Sequence, residues 1–263
     1  MIANFFRSLD RHGVEYLLIS GQATVLYGAA TFSEDIDLWL HPTHENSIRF
    51  LAALRECGAR YYKLTPALTV ENLARGHGFH FVLPTRNEPD AFLDIMGAPP
   101  RVGSFAPAAA EARSMDSEWG PLPTIGLRAL VELKKTQRLE DYPIISKLAV
   151  AWFDQPECAN DAEDFAWALN NLFTLPELRL FFEEHPNAAA GMGHALASEL
   201  NDFAEQLKST GDVSEELASR LNSGMQQRIG VLQQIDREYW RQIIAELKQL
   251  RSAGKLMPEG GAV

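Results

Sequence analysis

The stretch Ser33-Glu34-Asp35-Ile36-Asp37-Leu38-Trp39-Leu40 sets two carboxylates, one residue apart, at the head of an apolar run. Acidic residues are depleted in strands, and burying an ionised carboxylate without a partner is costly. Side chains of a strand alternate between faces, so Asp35 and Asp37 project together while Ile36 and Leu38 point the other way. A chain with this segment needs a sheet that is buried on one face and open to water or a ligand on the other. Two like charges this close also call for a counter-charge.

The surrounding pattern fits a sheet flanked by helices. Residues 2–12 read as a short amphipathic helix, with Ile2, Phe5, Phe6 and Leu9 on one side. VEYLLI (residues 14–19) reads as a buried strand that ends at Ser20-Gly21, and Gly21 to Ala29 reads as a helix. After the DIDLWLH strand, Pro42 to Glu45 looks like a helix start. Thr43 is the N-cap and Glu45 favours the helix dipole; the helix runs to about Glu56 and stops at Gly58. Residues 68–75 suit a short helix. GFHFVL (78–83) and AFLDIM (91–96) suit a hairpin joined by the turn-rich PTRNEPD. Residues 112–125 are ambiguous, because Pro121 and Pro123 limit any strand, and GLRALVELKKTQRLEDY returns to helix. From about residue 150 the spacing is helical throughout, with Ser209 to Asp212 separating the last two helices and MPEGGAV read as a loose tail. The fold class is therefore α/β over residues 1–150 followed by a helical region over 151–263, with a border near 145–160.

Charge narrows the ligand. The 263 residues carry a formal net charge of −11, most of it after residue 150. That balance repels a long phosphate backbone, so duplex DNA is not expected, even though Arg237, Arg241, Lys248, Arg251 and Lys255 gather near the end. A small anionic ligand held by local groups is easier to reconcile. No apolar run approaches the ~20 residues of a membrane span. The N-terminus MIANFFRSLDRHG has internal charges and no small-residue cleavage site. Cys57 and Cys158 have no metal-type spacing and fit reduced thiols, although a single disulfide stays open. Together these point to a cytoplasmic protein with no membrane partner.

A third acid, Asp94, lies in the apolar LDIM segment. If that strand neighbours DIDLWL, three carboxylates converge and could hold two divalent ions about 4 Å apart. Mg²⁺ prefers one or two protein carboxylates plus phosphate oxygens. Plainer readings stand beside this one. Asp35 could close a loop with Ser33 and Glu34, Gly21 could simply make a turn, and Lys134 could lie on a solvated helix face. Arg138 and Asp141 suit a structural i, i+3 pair. His77 and His80, three apart, do not share a strand face and fit no zinc pattern. His80 lies near the acids only if its strand neighbours Asp94; an ordinary packed or exposed histidine is the expectation. No P-loop or GxGxxG is present.

Taken in order, Gly21 at a strand-to-helix turn, Asp35-Ile36-Asp37, and Leu93-Asp94-Ile95 resemble the nucleotidyltransferase superfamily that includes DNA polymerase β. The resemblance covers roughly the first 145 residues. It extends to small bacterial nucleotidyltransferase-like proteins, among them toxins of toxin–antitoxin and abortive-infection systems. It implies a nucleotidyltransferase-type mixed sheet with flanking helices, followed by an all-helical domain. It also implies transfer of a nucleoside monophosphate from a nucleoside triphosphate such as ATP to an acceptor hydroxyl, on a protein side chain, an RNA end or a small molecule. Asp35, Asp37 and Asp94 would hold Mg²⁺ or Mn²⁺, and Asp94 would also help the acceptor lose its proton. Ser20, Gly21, Gln22 and Lys134 would contact the nucleotide, Lys134 matching a Leu-Lys pattern found after the third acid. Two positions depart from the pattern. Gln22 stands where Ser or Gly is usual, and Thr31 stands where many relatives have Arg. They keep a second reading open, a non-catalytic nucleotide- or partner-binding module, and a third, metal-dependent hydrolysis or other phosphotransfer on the same carboxylates.

Overall fold

The chain alternates elements that bury one face with short, polar connections. The computed structural model describes residues 2–84, 89–186, 188 and 195–263. In chain order, α1 (Ile2–His12) leads to β1 (Tyr16–Ile19), α2 (Ser20–Leu26), β2 (Ile36–Leu40), α3 (His44–Glu56) and β3 (Arg60–Tyr61). There follow α4 (Val70–Ala74), β4 (Gly78–Leu83), β5 (Ala91–Met96), α5 (Phe105–Ala110), β6 (Arg113–Ser117), β7 (Gly120–Thr124) and α6 (Leu127–Leu133). The rest is helical: α7 (Asp141–Ala151), a 3₁₀ turn at Trp152–Asp154, α8 (Ala162–Asn171), α9 (Leu175–Glu184), α10 (Ala197–Thr210) and α11 (Glu215–Ser252). This is the expected α/β architecture with a helical C-terminal region.

The strands form one mixed sheet in the order β3-β4-β5-β2-β1-β7-β6. β2 is central: it runs antiparallel to β1 and parallel to β5. β4 and β5 are antiparallel, as the hairpin pattern anticipated; of the joining turn, residues 85–88 lie outside the described residues. Ile36, Leu38, Leu93 and Ile95 are essentially inaccessible to water. With ~25 cal/mol per Å² of apolar surface removed from water, this face fixes the register of β2 against β5.

By packing, the chain divides into two compact units: Met1–Leu26 with Ala30–Leu133 and Glu238–Val263, and Tyr27–Ala29 with Lys134–Arg237. The sequence border near 145–160 is not where packing changes, and the last residues of α11 and the tail belong to the first unit. In that unit the core is built from Phe5, Phe6, Trp39, Phe50, Phe79, Phe81 and their neighbours. The indole N–H of Trp39 is satisfied by the Gly97 carbonyl at 2.9 Å. In the second unit Leu169, Leu178, Phe181, Leu200, Phe203, Leu217 and Leu221 form the core.

Several local expectations hold. Thr43 caps α3, accepting from the Asn46 N–H, and Gly211 ends α10 in the left-handed conformation at φ 74°. Others are corrected. Residues 113–124 form the β6–β7 hairpin despite Pro121 and Pro123. Pairing of β7 with β1 begins only at Thr124, beyond both prolines, so no ladder bond on that side is lost. The predicted continuous helix through ELKKTQR breaks at Leu133 and restarts at Asp141. The tail is not loose. Tyr61 N–H donates to the Gly261 carbonyl at 2.9 Å, Gly260 N–H to the Tyr61 carbonyl at 2.8 Å, and Val263 N–H to the Ala59 carbonyl at 3.3 Å. It thereby covers the open edge of β3, which would otherwise expose unpaired peptide groups.

Candidate functional site

The site is set by register. Asp37 of β2 and Asp94 of β5 are direct partners on adjacent parallel strands, ~4.8 Å apart by strand spacing. Registered neighbours point to the same face, opposite the buried face of Ile36, Leu38, Leu93 and Ile95. Asp35 stands one residue before β2 rather than inside it. It is nevertheless coupled to the pair. Burial and then the charge of Asp94 raise its pKa above the usual carboxylate value; Lys63 pulls it back, Glu34 adds to the rise and His80 opposes it.

β4 brings in a residue that sequence reasoning set aside. His80 is the cross-strand partner of Asp94, and its Nδ1 lies 2.7 Å from Asp94 Oδ1, with both side chains a little over a quarter exposed (27 % and 28 %). The His80 backbone is held on both sides. Thr65, fully buried, accepts from the His80 N–H at 3.0 Å and donates its hydroxyl to the Tyr62 carbonyl at 2.8 Å. Tyr62 N–H donates to the His80 carbonyl at 2.9 Å. Gly78 leaves room for the ring, since a Cβ there would lie 3.3 Å from His80 Nε2. The signal was in the sequence: a hairpin symmetric about residue 87 pairs residue 80 with residue 94.

Lys63 was also missed. It follows Tyr62 with φ +54°, a conformation costly for a residue with a Cβ, and its ammonium lies 4.9 Å from the centre of the Tyr62 ring. No periodicity marks such a residue; only the fold of the loop brings it near Asp35.

The start of α2 does different work from a simple phosphate cradle. Ile19 pairs with Asp37, so Ser20 and Gly21 follow directly from the acid-bearing strand pair. The positive φ belongs to Ser20 (+57°), not to Gly21. Gly21 has a steric reason instead: a Cβ there would lie 2.1 Å from Ser33 Oγ. Gln22 Nε2 donates to the Ser33 carbonyl at 2.8 Å, and Ser33 Oγ donates to the Asp35 carbonyl at 3.3 Å. Gln22 thus anchors the segment that delivers Asp35, and Gly21 makes room for it. Lys134 lies in the second unit, buried, with Nζ 3.1 Å from Asp141 Oδ1. Asp141 also takes Arg138 Nε at 3.0 Å, the expected i, i+3 pair, and the Thr136 hydroxyl at 2.5 Å. The Lys134 ammonium is committed to this knot.

Among the described residues, no group of three or more His, Cys, Asp or Glu side chains is placed to hold a metal ion by itself. Three acids closing around a pair of ions is therefore not what these residues form alone. The donor set fits an ion only in the open form that Mg²⁺ favours, with one or two carboxylates sharing it with phosphate oxygens and water. Burial first, and then the Asp94 charge, disfavour the ionised form of Asp35 despite Lys63 and His80. Among the described residues, no helix is long and apolar enough to cross a membrane.

Comparison with known proteins adds little. No protein-family model matches the chain, and no curated protein matches it. A solved structure of an antigenic nucleotidyltransferase-like protein from Paracoccidioides brasiliensis aligns over 84% of this chain and 90% of its own, at 12% identity and a TM-score of 0.36. That likeness is too low to carry weight, so the functional reading rests on the geometry above.

Proposed function

We propose that the chain is a metal-dependent nucleotidyltransferase that moves a nucleoside monophosphate from a nucleoside triphosphate to an acceptor hydroxyl. The observation that carries the reading is the register that sets Asp37 beside Asp94, with Asp35 coupled electrostatically to Asp94. The strand, short helix, Asp-x-Asp strand and third acid occur in the order expected of such enzymes.

In this reading the acceptor oxygen attacks the α-phosphorus, a new P–O ester bond forms, and the bond to the bridging oxygen breaks. Pyrophosphate leaves with that electron pair. Asp94 takes the hydroxyl proton as general base. Asp35 and Asp37, with Asp94, would hold Mg²⁺ or Mn²⁺ together with the triphosphate, and the ion would supply charge neutralisation at the phosphoryl oxygens. Gln22 holds the segment from Ser33 to Asp35 in place and Gly21 makes room for it, while Ser20, Gly21 and Gln22, at the start of α2 just after the Ile19 partner of Asp37, would contact the nucleotide. Lys134 would contact the nucleotide only by exchanging its ion pair with Asp141. The relation to toxin-type relatives remains part of this proposal, as does a cytoplasmic setting; the acceptor is a protein, RNA or small-molecule hydroxyl.

A second reading, a nucleotide-binding module without turnover, is favoured by two observations. Gln22 has its amide engaged with the Ser33 carbonyl, and the acids alone complete no three-ligand metal group among the described residues. Calorimetric titration with ATP, GTP, CTP and UTP in Mg²⁺, followed by assays of pyrophosphate and phosphate release with candidate acceptors, separates the readings. Acceptor-dependent pyrophosphate release supports transfer. Binding with no release across acceptors supports the module, and free phosphate points to hydrolysis. Absence of triphosphate binding overturns both nucleotide readings.

A further inference from the structure

Asp94 does not stand alone on its strand. Its carboxylate receives His80 Nδ1 at 2.7 Å, and with Asp94 ionised that nitrogen carries the hydrogen and donates it. The contact is between direct cross-strand partners, so backbone pairing of β4 and β5 sets its geometry. The main chain of His80 is held by the Thr65 hydroxyl, which accepts from its N–H, and by the Tyr62 N–H, which donates to its carbonyl, and Gly78 clears the space its ring occupies. Thr65 is in turn tied to the tail, whose Met257 N–H donates to the Thr65 carbonyl at 2.8 Å. A free carboxylate on a strand rotates about χ2 with little resistance. This one is restrained by a donor whose main chain is anchored in the sheet.

We infer that His80 is a positioning residue of the site: its Nδ1–H holds one oxygen of Asp94 and presents the other to the ion and acceptor. The inference rests on the reading of Asp94 given under the proposed function. It assigns a role to a histidine that belongs to no part of the Gly21, Asp35, Asp37 and Asp94 pattern. Partners of this kind, bonded to a ligand side chain rather than to the metal, typically change metal affinity 10- to 100-fold when removed, on general grounds.

The test uses the full chain and two substitutions. His80→Asn places an amide N–H where Nδ1 donates, whereas His80→Leu keeps bulk and removes the donor. Binding of Mn²⁺ alone, and of Mn²⁺ in the presence of ATP, is measured by calorimetry for the wild type and both variants, and thermal unfolding confirms that each is folded. The expected result is a loss of Mn²⁺ affinity of about tenfold or more in His80→Leu. In His80→Asn the affinity stays within about threefold of the wild type. Equal affinity in the wild type and His80→Leu overturns the inference while leaving the proposed function intact. So does equal loss in both variants, because the donor would then not be what matters. A wild type that binds no Mn²⁺, with or without ATP, overturns the proposed metal chemistry and the inference with it.

Discussion

Two groups of acids in this chain meet opposite fates. Asp141, only 4 % exposed at its side chain, is surrounded by Lys134, Arg138 and the Thr136 hydroxyl, so its charge is cancelled at contact distance. The acids that head β2 and sit in β5 are half-buried. The chain opposes Asp35 with Lys63 and His80, yet the carboxyl still titrates above its usual value because burial and Asp94 prevail. The first cluster is closed and holds together the break between α6 and α7. The second is partly exposed, with His80 on Asp94, and a cationic or metal-bound ligand can reach it. The same residue type is enclosed where the sequence supplies its counter-charges within a few positions, and is reachable from solvent where strand register sets its neighbours.

The contrast can be broken most readily at Asp141. Replacing it with Ala strands the buried Lys134 ammonium, and unfolding in urea is expected to show a loss of about 3–5 kcal/mol. A loss below about 1 kcal/mol would mean the knot is not structural. Asp94→Asn should do the reverse. Pyrophosphate release falls by on the order of 10²-fold or more, while stability stays within about 1 kcal/mol of the wild type.

Asp35 sharpens the comparison through pH. Its pKa is raised in the folded state, so the folded chain binds that proton more tightly than the unfolded chain does. The resulting penalty is present in full above the raised pKa and fades as pH falls through it toward the unperturbed value of 3.8. Asp35→Asn is therefore expected to be more stable than the wild type at neutral pH, with the gain vanishing in acid. Thermal unfolding across that range checks the sign; a variant less stable at neutral pH would show that Asp35 is a structural acid like Asp141.

Two smaller effects concern placement. Gly21→Ala drives a methyl into Ser33, for which about 1–3 kcal/mol is expected. Ser33→Gly in the same chain should recover most of it, because it removes both the Oγ and the Cβ in the way. A double-mutant cycle with no coupling would show that α2 does not set the segment leading to Asp35. The smallest is Thr43→Ala, which removes the side chain that caps α3. About 1 kcal/mol of stability and no change in nucleotide binding are expected.

Much of this was legible in the sequence. Apolar periodicity located β1, β2, β4 and β5, and Thr43 and Gly211 marked helix ends, because burial and capping are local demands written in neighbouring residues. Alternation put Asp35 and Asp37 on one face, but Asp35 lies just before β2, and the pairing of Asp37 with Asp94 depends on strands remote in sequence. The β6–β7 hairpin was hidden by Pro121 and Pro123, whose cost depends on which neighbour their missing N–H would face. The break after Leu133 was hidden because no Gly or Pro marks it; side-chain bonds from Lys134, Thr136 and Arg138 to Asp141 accompany it. The tail looked loose because its stability comes from the edge of β3. His80 and Lys63 were missed for the same reason: a hairpin register and a left-handed loop residue bring them to the acids, and neither carries a compositional mark.

The central claim is that Asp35, Asp37 and Asp94 form one ligand-binding face with an ion shared between protein and phosphate. A crystal of the chain with Mn²⁺ and a nonhydrolysable nucleoside triphosphate, read by the anomalous scattering of manganese, tests it most directly. The account predicts an ion bridging carboxylate oxygens of this face to phosphate oxygens, with His80 still bonded to Asp94. Manganese and triphosphate bound elsewhere, or an acid face that stays bare at saturating ligand, would contradict it.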